Sequence, residues 1–350
     1  MSDLAVAPEL VDLERLRAWM DAQGVGEGPL SDAALLAGGT QNILLRFARA
    51  GRCYVLRRPP RHLRRNSNDT MRREARVLAA LASTAVPHPR LIAACPETDV
   101  LGAAFYLMEP VAGFNPTRGL PEPHRSEPGL RHAMGLSLVD AIAELGGVDH
   151  ERVGLADLGK PEGFLERQVG RWRSQLESYS ELAGYPGPRI PGLEEVSRWL
   201  DAHRPRGFRP GILHGDFHLA NVMFALDGPA LAAIVDWELC TIGDPLLDLG
   251  WLIATWPDAA GGGPGSVGVQ PWHGFPSADE LVERYRQRSE RDLASLDWYA
   301  VLSCYKLGIL LEGTHARACA GQADVAVGDA LHATTLGLFE RALGWIGRGG

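Results

Sequence analysis

The chain has 350 residues, 45% hydrophobic and 22% charged, with a formal net charge of -8 at pH 7, a balance that fits a globular protein large enough for two domains or lobes. The acidic balance excludes general nucleic-acid binding, which needs a basic surface, and no uninterrupted apolar run reaches the roughly 18 residues of a membrane span. Cys53, Cys95, Cys240, Cys304 and Cys319 form no CxxC pair, and Met1 to Leu10 lacks a basic leader region, so reduced thiols, no secretory signal and a cytoplasmic location are expected.

In chain order, Pro8 to Gln23 carries Leu10, Leu13, Leu16 and Met20 on one stripe and reads as an amphipathic helix. Strands follow at Ala33–Ala37 and Ile43–Ala48 around a Gly38-Gly39 turn, and Ala50-Gly51 turns the chain into a third strand, Cys53–Arg57. The arginine- and proline-rich run Arg58–Asn68 reads as a loop, and Thr70–Ala82 as a helix capped by Asp69 or Thr70. Leu91–Ala94 and Phe105–Met108 read as strands, and Pro116–Pro128 is irregular. Helices are expected over Leu130–Leu145, Pro161–Glu181, Leu193–His203, Asp244–Thr255, Ala278–Arg291, Leu296–Gly313 and Asp324–Trp345. The glycine-rich stretch Ala259–Gly274 reads as a mobile loop and is no P-loop, because the Lys-Ser/Thr ending is missing. Arginine supplies nearly all the positive charge. Lysine occurs only at Lys160 and Lys306, a pattern that codon bias explains.

The chemistry concentrates in His214-Gly215-Asp216-Phe217-His218-Leu219-Ala220-Asn221 and in Ile234-Val235-Asp236-Trp237. An apolar run, Gly211–Leu213, leads into the first segment, and Ala232–Val235 leads to Asp236. Phosphoryl transfer from a magnesium nucleotide needs this order of acid, amide and acid. One carboxylate orients the attacking hydroxyl, while an amide oxygen and a second carboxylate hold the metal against the phosphates. Asp216 and Asn221 stand five residues apart, the spacing of acid and amide in the protein-kinase catalytic loop.

The segments "LHGDFHLANVMF" and "AIVDWELCTIGDPLLDLGWL" resemble the aminoglycoside phosphotransferase and choline kinase group of kinase-like enzymes. Within it the chain is most similar to the branch related to the kinase-like domain of acyl-CoA dehydrogenase fusion proteins. "LAGGTQN", "YVLRRPP", "REARVLAAL" and "LGAAFYLMEPVAG" extend the likeness in order, so that it covers roughly residues 30 to 255. The resemblance implies an α+β, bilobal, protein-kinase-like fold. A small antiparallel-sheet N-lobe with one main helix would take residues 1–109, and a larger, mostly helical C-lobe residues 110–350, with a hinge at Glu109–Gly113. The implied reaction moves the γ-phosphoryl group of ATP, or of GTP, with Mg2+, to a hydroxyl of a small molecule. Hydroxyacyl-CoA esters or hydroxy acids are the first acceptor class and aminoglycoside-like sugars the second.

The same resemblance assigns the site. Asp216 is the catalytic base or hydroxyl-orienting residue, Asn221 and Asp236 hold magnesium, and Asp248 accepts backbone N–H bonds from the catalytic loop. His214 holds that loop, and His218 either contacts the acceptor or a phosphate or is an ordinary loop residue. Gly38, Gly39 and Thr40 cover the phosphates, and Glu109 and Val111 present backbone groups to the base. Glu74 pairs with a third-strand lysine in the family, but this chain has Arg57 there, and arginine is bulkier and prefers bidentate partners. Only a dozen residues separate Asp236 from Asp248, too few for the activation segment of a protein kinase, which favours a small-molecule acceptor. The arginines at 57, 58, 61, 64 and 65 could meet phosphates of a second substrate or form a solvated loop. The acids of 279–292 alternate with arginines, as on a salt-bridged helix face. A catalytically silent nucleotide-binding module and a metal-dependent hydrolase built on His214, Asp216 and His218 remain as alternatives. Oligomeric state is left open.

Overall fold

The computed structural model describes residues 10–36, 42–63 and 66–348. In chain order the elements are α1 (Leu13–Ala22), β1 (Ser31–Leu35), β2 (Ile43–Arg49), β3 (Arg52–Arg58), α2 (Ser67–Leu81), β4 (Leu91–Cys95), β5 (Phe105–Met108), α3 (Pro128–Gly147), α4 (Glu166–Ser178), α5 (Leu193–Ala202), β6 (Gly211–Leu213), β7 (Val222–Phe224), β8 (Leu231–Ile234), β9 (Thr241–Gly243), α6 (Leu246–Thr255), α7 (Ala278–Arg288), α8 (Leu296–Cys319) and α9 (Val325–Ile346). The chain is mixed α+β. It divides into two compact units: Met1–Gly113 with Val153–Leu155 and Ala232–Cys240, and Phe114–Arg152 with Ala156–Leu231 and Thr241–Gly350. No described helix is long and apolar enough to cross a membrane.

The first unit is built on an antiparallel sheet in the order β1-β2-β3-β5-β4. Strand β3 is the central one and buries both faces, so Tyr54, Val55, Leu56 and Arg57 are all buried, where a half-exposed strand would alternate. Its register with β5 sets Arg57 opposite Tyr106. Leu45, Phe47, Tyr54, Leu56, Phe105 and Leu107 form the core with Leu16 and Met20 of α1. Asp12 caps α1 by accepting from the Arg15 N–H at 3.0 Å. Helix α2 begins one turn earlier than its sequence suggests. Its N-cap is Asn66, not Asp69 or Thr70, and Asp69 turns instead to Arg72 at 2.8 Å. The segment Ala232–Cys240 joins this unit through Ile234 N–H to the Pro87 carbonyl, 2.9 Å, and through Arg73 to the Cys240 carbonyl, 3.1 Å.

The second unit is mostly helical. Helix α8 runs past the expected end at Gly313 to Cys319, because Ala316 and Ala318 remain buried and a Cβ on Gly328 of α9 would lie 2.4 Å from the Ala318 Cβ. The buried Glu312 links α8 to its surroundings, accepting from the Tyr185 hydroxyl and from His332 Nδ1 of α9, both at 2.7 Å. Helix α6 crosses α8 at Gly250, where a Cβ would stand 2.7 Å from the Tyr299 backbone. Strands β6 and β9 pair antiparallel, Ile212 opposite Ile242. The acids around α7 do make ion pairs, but not only along the helix: Arg284 forks onto Asp140 of α3 with two bonds of 2.8 Å, and Glu280 meets His132 at 3.0 Å. The glycine-rich stretch is packed, with Val269 and Trp272 buried. Asp258 accepts from the N–H groups of Ala260 and Gly262 at 2.9 and 3.1 Å, an aspartate-centred turn.

Candidate active site

Strand β6 carries the chain, fully buried, into the loop His214–Asn221. Gly215 has φ +87°, a left-handed conformation that glycine adopts without strain. The turn aims two consecutive N–H groups at one carboxylate. Asp248, on the first turn of α6, accepts from His214 N–H at 2.6 Å and Gly215 N–H at 2.9 Å. Asp248 is buried, which pushes its carboxyl pKa up, while His214, the two N–H bonds and Lys306 pull it down. The loop's geometry is thus set from a helix more than 30 residues away.

Within the loop, Asn221 Nδ2 donates to the Asp216 carbonyl at 2.9 Å and to its carboxylate at 3.0 Å. His218 Nδ1 accepts from Ala220 N–H at 3.1 Å, so the neutral ring carries its proton on Nε2, which faces Asp216 Oδ1 at 3.3 Å. Burial opposes the charge on Asp216. The His218 hydrogen bond and the charges of His218, Lys306 and His214 outweigh it and hold the carboxyl at about 2. Asp216 is therefore ionised at neutral pH and half-buried. The Asn221 side-chain oxygen accepts no bond from a described residue, which leaves it able to ligate a cation.

In the first unit, Arg57 is buried between two carboxylates. Its guanidinium lies 2.7 and 3.0 Å from the two Glu74 oxygens and 2.6 Å from Asp236 Oδ1. The Tyr106 hydroxyl donates to Glu74 at 2.7 Å. Burial opposes the Arg57 charge, but Glu74, Tyr106 and Asp236 win and its pKa rises. Asp236 has φ +66° and ψ +64°, an αL conformation uncommon outside glycine, asparagine and aspartate and often associated with functional loops. Its side chain is 40% exposed. Glu109 uses its N–H on the Arg90 carbonyl, 2.9 Å, and Val111 is half-buried. Gly38, Gly39 and Thr40 lie outside the described residues, as do the arginines at 64 and 65. Arg58 is buried and bonds the Leu10 carbonyl at 3.2 Å, so it is no part of a solvated loop.

Of the sequence-derived site residues, Asp216, Asn221, His218, His214 and Asp248 come together in the second unit, and Arg57, Glu74 and Asp236 in the first. Sequence reasoning missed two participants. Tyr106 closes the Arg57–Glu74 pair, and its place opposite Arg57 in a neighbouring strand offered only a weak signal. Lys306 donates to the Gly215 carbonyl at 2.7 Å. The scarcity of lysine in this chain was the available signal, read there as codon bias.

A sheet unit holding a buried Arg–Glu pair and a helical unit bracing an acid–amide loop define an α+β fold of the protein-kinase-like type. The chain belongs to the phosphotransferase enzyme family, whose model matches residues 32–299. It is 31% identical over 328 residues to acyl-CoA dehydrogenase family member 11 of Pongo abelii, covering 90% of this chain and 41% of that protein. It is 29% identical over 284 residues to family member 10 of Mus musculus, covering 79% and 26%. The chain thus spans between a quarter and two fifths of these relatives. Among solved structures it is similar to one from Ralstonia eutropha described as a candidate aminoglycoside phosphotransferase, with TM-score 0.79, 29% identity and coverage of 95% and 98%. A ternary complex of aminoglycoside phosphotransferase APH(4)-Ia with ADP and hygromycin B shares the fold, with TM-score 0.55, 17% identity and coverage of 91% and 97%.

Proposed function

We propose that this protein is a nucleotide- and magnesium-dependent kinase that moves the γ-phosphoryl group of ATP, or of GTP, to a hydroxyl of a small molecule. The observation that carries the reading is the Asp216 carboxylate, held by Asn221 and His218 on a loop that Asp248 braces from below. At a pKa of about 2, Asp216 is too acidic to remove a proton early. It accepts the hydroxyl's hydrogen bond and orients the oxygen for attack, which suffices for a loose phosphoryl-transfer transition state. His218 and Asn221 fix the carboxylate's direction, and Asp248 fixes the loop. Asn221 and Asp236 are the expected magnesium ligands. The free Asn221 oxygen and the partly exposed Asp236 carboxylate fit hard-cation chemistry. Bound magnesium ATP would supply the phosphoryl group and neutralise charge developing on it. Arg57, kept charged by Glu74 and Tyr106, is the phosphate-facing cation, with Gly38, Gly39 and Thr40 covering the phosphates and Glu109 and Val111 meeting the base.

The acyl-CoA dehydrogenase relatives favour a hydroxyacyl-CoA or hydroxy acid as acceptor. The hygromycin complex of the structural neighbour keeps an aminoglycoside-like sugar as the second class. Arg57 supports a second reading, a silent nucleotide-binding module, because two carboxylates already hold its guanidinium. A zinc hydrolase is disfavoured: His218 uses both ring nitrogens, and His214 Nδ1 accepts from Asp216 N–H at 3.3 Å. The test is magnesium-dependent ADP release with hydroxylated metabolites and CoA esters. Asp216→Asn should lower kcat by about 10²–10⁴-fold, and equal rates for both proteins would sink the enzyme reading.

A further inference from the structure

The C-terminal hairpin of α8 and α9 carries a cluster of metal-ligand side chains that have no role in the scheme above. Each helix presents a carboxylate and a histidine three positions apart, Glu312 and His315 on α8 and Asp329 and His332 on α9, and residues at that spacing are neighbours on one helix face. One ligand atom from each of Glu312, His315 and His332 lies within 4.8 Å of the other two. Glu312 is fully buried, while the side chains of His315 and His332 are 15% and 23% exposed, which gives an ion a way in from solvent. The Tyr185 hydroxyl donates to one Glu312 oxygen, and His332 Nδ1 meets the other, both at 2.7 Å. A plain buried ion pair is complete at that point and leaves His315 over. The His315 ring stacks on that of His332, with centroids 4.5 Å apart and planes at 26°. Its Nδ1 is buried without a hydrogen-bond partner, because Asp329 Oδ1, at 3.5 Å, stands beyond the usual length of about 2.7–3.2 Å. A buried nitrogen of that kind calls for an explanation, and an imidazole nitrogen is a metal ligand as well as a hydrogen-bonding group.

We propose that Glu312, His315 and His332 bind one divalent transition metal of the zinc class, with water in the fourth position. Two imidazoles and a carboxylate make a tetrahedral zinc set. Hard cations are excluded, because magnesium and calcium take oxygen ligands, so the site is separate from the magnesium of the nucleotide. Tyr185 is the outer partner that orients Glu312. Ligand atoms sharing one zinc stand about 3.3 Å apart, so filling the site widens the Glu312–His332 contact and releases the proton between them. The ion joins α8 to α9 and, through Tyr185, to the chain between α4 and α5. Its role is to clamp the C-terminal hairpin, and it stands independently of the phosphotransferase reading.

The experiment titrates the full chain, treated with chelator and desalted, with zinc alone against a chromophoric chelator, and follows the Tm. Wild type should take up one tight equivalent that excess magnesium does not displace, and its Tm should rise with it. His332→Gln keeps a donor toward Glu312 and removes the nitrogen ligand, and His315→Phe keeps the ring stack. Each should weaken that equivalent by more than about 100-fold and lose the rise in Tm, whereas Tyr185→Phe, which removes only the outer partner, should weaken it by about 10–100-fold. His218→Gln, in the catalytic loop, should leave it unchanged. Cys319 Sγ lies 3.7 Å from His315 Nε2, so Cys319→Ser tests for a thiol site. Zinc lost in Cys319→Ser but kept in His332→Gln overturns the assignment. So does an equivalent that survives both histidine substitutions, or no tight equivalent at all. If the histidine variants do not fold, cobalt decides. Visible absorption from one equivalent on wild type that zinc bleaches, magnesium does not, and Tyr185→Phe weakens upholds the site, and its absence overturns it.

Discussion

Asp216 shows how a single residue's surroundings decide what it can do. Its carboxyl is held at about 2 by His218, Lys306 and His214 against the opposing effect of burial, below the usual aspartate value of about 3.9. A depressed carboxyl stabilises the folded state above the unfolded pKa and loses that contribution as pH falls through the folded one. The stability gap between wild type and Asp216→Asn should therefore be full above about pH 4 and close between there and about pH 2, as read by denaturant unfolding at stepped pH. For activity, the acid limb of kcat/KM should not follow an ordinary carboxylate near pH 4. A limb at that pH that disappears in Asp216→Asn would contradict the assignment. At this scale Asp216, Asn221 and His218 were legible in the sequence, because a hydrogen-bonded loop of eight residues is a local object. Lys306 was not. It stands 91 positions from the carbonyl it bonds, and nothing in the residues around it points to that loop.

Elements transmit the site's geometry through close backbone approaches. Helix α6 carries Asp248 to the loop and crosses α8 at Gly250, where no Cβ fits beside Tyr299. The Tyr299 hydroxyl in turn bonds Asp244, which also accepts from Leu246 N–H at 3.1 Å and so steadies the start of α6. Gly250→Ala should cost about 1–3 kcal/mol by overpacking, measured by urea unfolding. It should also lower kcat, because a shift of α6 moves Asp248 off the His214 and Gly215 N–H groups. Unchanged stability would mean that the crossing tolerates a methyl group. The central strands and most helices could be read from periodicity within a few residues. Helix ends were the errors: α2 starts a turn early, the helices expected from Pro8 and Pro161 start five residues late at Leu13 and Glu166, and α8 ends six residues late. The end of α8 is set by burial against α9, which a single helix's pattern does not contain.

For the whole molecule, nucleotide binding is the property that should couple to global stability. A ligand that binds only the folded chain at 100 times its Kd adds about 2.7 kcal/mol of apparent stability. Magnesium AMP-PNP should therefore raise the Tm, and Asp236→Ala should abolish the magnesium-dependent part of the rise. No shift in wild type at millimolar nucleotide would oppose both the kinase and the silent-module readings. The sequence placed a single boundary after residue 109, whereas the first compact unit also takes Val153–Leu155 and Ala232–Cys240. A linear reading has no means to return a distant segment to an earlier unit.

The order of Asp216, Asn221 and Asp236 between apolar runs pointed by itself to an acid–amide–acid site for phosphoryl transfer, because spacing is a property of neighbouring residues, while the family and the α+β class came from the resemblance of whole segments to known phosphotransferases. Only the tertiary structure decided that Tyr106 closes the Arg57–Glu74 pair and that Lys306, over the rings of Trp172 and Trp251, bonds the catalytic loop. Those contacts arise from strand register and from helices α4, α6 and α8 packing around one point, and no stretch of chain encodes such packing alone.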